Sequence, residues 1–189
     1  MDNGASSYRR FLSGDESALT EIVSQYRPGL QNYINSIVNN FDVAEDLTED
    51  TFVKLLVKKP KDKGEASFKT WLYTIGRNLA IDYLRKNPKG RYVPLDEIYD
   101  IADDMEKCIG ESLCEDDQFA IRYALESINP DYKNIIILFY FEDFSIEEIS
   151  KIIKKPKRST SVLLHRAKKA LKNQLEKEHF TYENRQKYG

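Results

Sequence analysis

Apolar positions recur at spacings of three and four over most of the chain, the period of an amphipathic helix. After Ser13-Gly14-Asp15, where Ser13 or Asp15 can cap, Ala18, Leu19, Ile22, Val23 and Tyr26 form a first stripe. Pro28-Gly29 either interrupts this helix or opens the next, and Leu30, Tyr33, Ile34, Ile37 and Val38 carry the period on. Asn39-Asn40-Phe41-Asp42 reads as a turn. From Val43 the pattern resumes through Leu47, Phe52, Leu55 and Leu56, with acids in its first turns and lysines at its end, the order a helix dipole favours. Pro60 to Gly64 predicts a loop. A helix from about Ser67 to Lys86 follows, with Phe68, Trp71, Leu72, Ile75, Leu79 and Tyr83 along one side. Asn87-Pro88 ends it.

The pattern fades over residues 91–116 and returns near Asp117, through Phe119, Ala120, Tyr123, Ala124 and Ile128. Asn129-Pro130 opens a helix to about Phe141 that is apolar almost all round, the expected centre of a small bundle. Ser145 followed by Glu148 is a capping box and predicts a short helix over 146–153. Lys154 to Arg158 makes a tight connection. A longer helix begins near Ser159, with Val162, Leu163, Ala167, Ala170, Leu171 and Leu175 apolar, and 176–189 reads as a fraying tail. No alternating strand pattern and no repeat interrupts this. The expected fold is all-α: a helical domain over 1–90, an acidic linker over 91–116, and a second helical domain over 117–175 containing a helix-turn-helix.

Composition narrows the function. The 189 residues are 41% hydrophobic and 32% charged, and the longest apolar run, Ile135 to Phe141, falls far short of the roughly 18 residues a membrane helix needs. No membrane insertion is expected. The opening residues, Met1 to Phe11, lack a secretory apolar stretch, so a cytoplasmic protein is expected. Cys108 and Cys114 are too few for a disulfide framework or a structural zinc site. No nucleophile–base pair, phosphate-binding glycine loop or ligand-spaced carboxylate set is present, so no enzyme activity, metal or cofactor is expected.

The net charge of −2 hides a segregation. Residues 1–90 sum to +1, 91–120 to −8 and 121–189 to +5, and Lys151 to Lys172 holds nine basic residues and no acid. A basic stripe on the second helix of a helix-turn-helix suits DNA: its first residues reach base edges in the major groove while the lysines and arginines meet phosphates. A two-helix corner within a helical protein is the plainer alternative.

Ser145-Ile-Glu-Glu-Ile-Ser150 and Leu164-His-Arg-Ala167 resemble the start and end of the C-terminal helix-turn-helix of extracytoplasmic-function sigma factors of bacterial RNA polymerase. Three upstream stretches resemble the same family in the same order. Phe11 to Asp15 is similar to its opening helix, Ala44 to Phe52 to its acidic polymerase-binding helix, and Phe68 to Arg85 to its promoter-melting helix. Together these cover roughly 10–90 and 117–175.

The resemblance implies a transcription initiation factor that binds core RNA polymerase, directs it to promoters and helps open the duplex. It implies that Asp46, Leu47, Glu49, Asp50, Phe52 and Val53 lie on the helix that docks on polymerase. Carboxylates beside apolar anchors suit a basic, amphipathic partner. It implies that Ser67, Trp71, Tyr73, Thr74, Arg77, Asn78 and Arg85 handle the minus-ten element, with Lys61 to Ser67 as the base-capturing loop. Aromatic surfaces replace stacking lost on melting. On the helical wheel, Phe68, Trp71, Ile75 and Leu79 also read as plain core, with Tyr73, Arg77 and Asn78 pointing elsewhere. Lys157, Arg158, Ser159, Ser161, Val162, His165 and Arg166 are implied for the minus-thirty-five element. Val162 and Leu163 depart from the polar residues often found there, and an apolar side chain suits a thymine methyl. The resemblance also implies a restraining anti-sigma protein. A polymerase-independent regulator is the rival reading, but it has no use for the acidic helix.

Overall fold

The computed structural model describes residues 4–58, 67–88 and 115–187. Within them the backbone is helical: α1 (Ala5–Leu12), α2 (Ser17–Val38), α3 (Phe41–Lys58), α4 (Phe68–Lys86), α5 (Glu115–Ser127), α6 (Pro130–Ile136), α7 (Ile146–Ile153) and α8 (Lys157–Lys187). Cys108, Cys114, Lys61 and most of the acidic linker lie outside the described residues.

Several boundaries differ from the sequence pattern, each for a local reason. The pattern has no place for α1, which buries only Tyr8 and Phe11. Asp15 accepts from the backbone N–H and hydroxyl of Ser17, at 3.0 and 2.5 Å, and so serves the start of α2. Pro28 interrupts nothing: α2 runs through it, because Ile22, Tyr26, Leu30, Tyr33 and Ile34 on both sides bury into one core. That burial outweighs the single backbone hydrogen bond a proline removes. Asn39 ends α2 in the left-handed region at φ 52°. Asn40 Oδ1 then accepts from the N–H of Val43 at 3.0 Å, so α3 begins two residues early, at Phe41.

The helix expected over 131–141 changes form. After the Asn129 cap and Pro130, α6 gives way to a π-helical segment, Ile137–Phe141. Ile135 to Leu138 are buried as expected, but Tyr140 is 46% exposed, so the segment is not buried all round. The capping box forms as read: Ser145 Oγ accepts from the N–H of Glu148, and Glu148 Oε2 from the N–H of Ser145. Lys154 takes the left-handed conformation at φ 55° that a glycine would hold more cheaply, and this turns the chain from α7 into α8. α8 starts at Lys157 rather than Ser159. It continues to Lys187, through the stretch expected to fray.

α2 is the central element, in contact with α1, α3 and α4, while α8 gathers α5, α6 and α7. The two groups are not apart. α4 packs along α7, α2 meets α6, and the buried cluster is continuous from Tyr8 to Ala167. An unbroken core across both groups shields their contact polar atoms from water, which strengthens each pairing.

Candidate functional site

α3 has two faces. Ala44, Leu47, Thr48, Thr51, Phe52 and Leu55 point inward and are buried, with both threonine hydroxyls satisfied by carbonyls one turn back. Leu47 and Phe52, implied as docking residues, are therefore core. The outward stripe is Asp46, Glu49, Asp50 and Val53, continued by Val57, which is 77% exposed and which sequence reasoning missed. Spacing alone contained the signal: Val53 and Val57 are four apart on the acidic face. Arg27 of α2 pairs with Glu45 at 2.9 Å and Glu49 at 3.4 Å. Asp46 and Asp50 make no ion pair among the described residues.

On α4, the buried positions are Phe68, Thr70, Leu72, Tyr73, Gly76 and Ala80, whereas Trp71, Ile75 and Leu79 are half-buried. The expected wheel is thus turned: Tyr73, placed away from the core by sequence, is fully buried. It lies edge-on to Phe144 at 5.0 Å and tilted to Tyr33 at 5.6 Å. Burial first, and the nearby Glu142 carboxylate second, push its phenol well above the ordinary range, so it stays protonated. Trp71 leans on Tyr8 and Phe68. Gly76 admits Leu30 and Ile34, whose methyls would stand 2.9 and 3.1 Å from a Cβ there. Thr74 bonds back to the carbonyl of Thr70, and Arg77 opposes the rise that burial imposes on the Tyr33 phenol. Arg85 is exposed and pairs with Asp82.

The remaining implied minus-ten residues meet the second helical group. Ser67 and Thr70 hydroxyls donate to Glu148 Oε1 at 2.9 and 3.1 Å, and Asn78 Oδ1 accepts from Lys154 Nζ at 2.8 Å. Lys69, which sequence reasoning did not single out, pairs with Glu142 at 2.9 Å and donates to its carbonyl at 2.6 Å. Tyr73 donates to the same carboxylate.

For Glu148, burial raises the carboxyl, but hydrogen bonds from Ser145, Ser67 and Thr70 outweigh it and leave the group below its ordinary value of 4.5. A depressed carboxyl stabilises the fold fully above its unfolded value and loses that contribution as pH falls through the folded one. Denaturant titrations of the wild type should therefore lose stability below pH 4.5, and Glu148→Gln should flatten that acid limb. An unchanged limb would rule Glu148 out as its source.

α8 presents the third surface. Lys155, Arg158, Ser159, Val162, Leu163 and Arg166 line an open groove of about 350 Å³. Arg158, Val162 and Arg166 repeat at four-residue spacing, and Val162 is 46% exposed between the two guanidinium groups. The groove takes in Lys155, expected from its charge to meet phosphate, and Leu163, which the sequence sets beside Val162 as an apolar departure. Lys157 pairs loosely with Glu147 at 3.5 Å, Ser161 bonds back to Lys157, and His165 is exposed. Among the described residues, no group of three His, Cys, Asp or Glu is placed to hold a metal, and no helix is long and apolar enough to cross a membrane.

A helix-turn-helix with a basic groove, packed against a helical unit that exposes an acidic, apolar-tipped stripe, is the arrangement of an all-helical protein with two chemically opposite surfaces. Residues 22–89 match the model of sigma-70 region 2 and residues 118–171 that of sigma-70 region 4, together more than half of the chain. The chain belongs to the sigma-70 family, in its extracytoplasmic-function branch, and is a transcription initiation factor that directs RNA polymerase to promoters. It is 26% identical over 164 residues to RNA polymerase sigma factor YlaC of Bacillus subtilis (strain 168), covering 85% of this chain and 93% of that one. It is 25% identical over 175 residues to ECF RNA polymerase sigma factor SigW of the same organism, covering 88% and 94%. Its fold is similar to that of the sigma factor RpoE from Bartonella quintana, solved in complex with the anti-sigma factor NepR. That match has a TM-score of 0.62, 23% identity and coverage of 83% of this chain and 96% of that one.

Proposed function

We propose that the three surfaces divide the work of promoter recognition. The outward stripe of α3, Asp46, Glu49, Asp50, Val53 and Val57, docks on core polymerase. α4 in the N-terminal unit, residues 1–90, handles the melted minus-ten strand through Ser67, Trp71, Tyr73, Thr74, Arg77, Asn78 and Arg85. The α8 groove in the C-terminal unit, residues 117–175, reads the minus-thirty-five element, with Arg158 and Arg166 suited to guanine edges and Val162 to a thymine methyl. The observation that carries this division is the exposed acid-and-valine stripe of α3. It shares no residue with the basic groove, so polymerase and duplex can be held at once. A stand-alone regulator has no use for such a stripe. The chain performs no covalent chemistry and works where polymerase works, in the cytoplasm. The fold neighbour RpoE, solved bound to the anti-sigma factor NepR, supports a restraining partner of that kind here.

The test is to assemble the chain with core bacterial RNA polymerase and select bound fragments from a genomic library. Retained fragments should share two spaced elements and show permanganate-reactive thymines at the downstream one. Binding of the chain to duplex without polymerase, and no complex with polymerase, would instead establish the regulator.

A further inference from the structure

Glu142 belongs to the loop after the π-helical segment, yet its carboxylate is held by the N-terminal group. Lys69 Nζ pairs with it at 2.9 Å, and the Tyr73 hydroxyl donates to it. The Lys69 and Glu142 side chains are only 21% and 11% exposed. The Lys69 ammonium also lies over the Phe144 ring, 4.7 Å from its centroid. Gly29 supplies the space: a Cβ there would collide with the Glu142 carboxylate and stand 2.8 Å from the Tyr73 oxygen. The N-terminal group thus has a slot with one cation, one hydroxyl donor and no side chain at its back, and the occupant is a singly charged oxyanion. A charged occupant in such a setting is retained only when both donors are aimed at it.

We propose that the slot formed by Lys69, Tyr73 and Gly29 is a binding site for a DNA backbone phosphate, and that Glu142 fills it as an internal substitute while the two helical groups are packed together. The inference rests on reading α4 as the helix that handles the melted strand. A phosphodiester has the same charge as the carboxylate and two oxygens free to meet the same two donors. Lys69 and Tyr73 are four apart on α4, on the same face, which places the phosphate alongside the stretch read as contacting the strand. The packed arrangement cannot be the promoter-bound one. Elements about 25 base pairs apart are separated by roughly 85 Å of duplex at about 3.4 Å per pair, whereas α4 and α7 are within hydrogen-bond distance. When the groups part, Glu142 leaves with its own group and the slot opens. Glu148 on Ser67 and Thr70, and Lys154 on Asn78, are further ties that part in the same step.

The probe is a fluorescein-labelled twelve-nucleotide single strand of mixed sequence, since a phosphate contact does not depend on base identity. Anisotropy of the full chain should show Glu142→Ala binding it at least tenfold tighter than wild type, with Glu142→Gln between them. Adding Lys69→Ala to Glu142→Ala should cancel the gain and lower the slope of log affinity against log salt by about 0.7, the value of one phosphate on a single strand. Gly29→Ala separates release from occupancy: it evicts Glu142 but fills the slot. Small-angle scattering should then show the expansion of Glu142→Ala without the gain in binding. A methylphosphonate strand should bind wild type and Glu142→Ala alike. The proposal is overturned if Glu142→Ala and Glu142→Gln bind no tighter than wild type. It is equally overturned if Lys69→Ala leaves the salt slope unchanged, or if Gly29→Ala gains as much as Glu142→Ala. The same variants are assayed for core polymerase binding: polymerase bound with no gain on DNA removes the slot alone, while a wild type that binds no polymerase removes the reading beneath it.

Discussion

Asp50→Arg should weaken binding to core RNA polymerase by about 100-fold, equivalent to about 2.7 kcal/mol. The figure lies within the roughly 1.5–7 kcal/mol measured for close interfacial charge pairs. Asp50 is exposed on the α3 stripe proposed to dock and makes no ion pair among the described residues, so reversing its charge should leave the fold intact. Its partner surface then meets a cation where it expects an anion, and the neighbouring Val53, 51% exposed, can no longer be desolvated against it. Glu49→Arg should cost less, because Arg27 already engages that carboxylate at 3.4 Å. Surface plasmon resonance on immobilised polymerase at fixed salt measures both. Equal loss at the two sites would mean that net charge alone matters, and no loss at Asp50 would move the docking surface off this stripe.

Leu30→Ala should be the most damaging single truncation tested, at about 2–5 kcal/mol for a fully buried leucine. At about 2–4 °C per kcal/mol for a chain of this size, the melting temperature should fall by roughly 4–20 °C. Leu30 is wholly buried in the middle of α2, and its methyl fills the notch at Gly76. The effect should not stay local. α2 also touches α6, and the core is continuous across both groups, so circular dichroism should show one transition moving as a whole. Gly76→Ala alone must displace Leu30 and Ile34. Added to Leu30→Ala, its methyl enters the vacated space, and the double variant should be less destabilised than the two single losses combined. Strict additivity would show that the notch and the leucine do not share packing.

Much of this architecture was legible in spacing and punctuation. The threefold and fourfold recurrence around Tyr26, Leu47 and Leu72 identified α2, α3 and α4, and Ser145 with Glu148 located α7 to the residue, because a capping box is a local hydrogen-bond pattern that carries its own geometry. The basic groove of α8 was equally legible, since an exposed helical face keeps its residues in periodic order. Local reasoning failed where the deciding partner was distant in sequence. Leu47 and Phe52 sit in the acidic docking motif, but α2 and α4 claim them for the core. Pro28 reads as a break, yet burial on both sides of it carries α2 through.

The sequence by itself determined the helical class, the order of the elements, the acidic and basic stripes and the family, because periodicity, caps and charge runs are written in neighbouring residues. Only the tertiary structure decided which face of α4 is covered. Tyr73 pairs with Glu142, 69 positions away, and Ser67 with Glu148, 81 positions away. No local pattern encodes such a pairing, because it depends on two surfaces meeting and on the room left by Gly29. That meeting leaves Ser67, Tyr73 and Asn78 of a helix read as open to DNA already engaged by the second helical group.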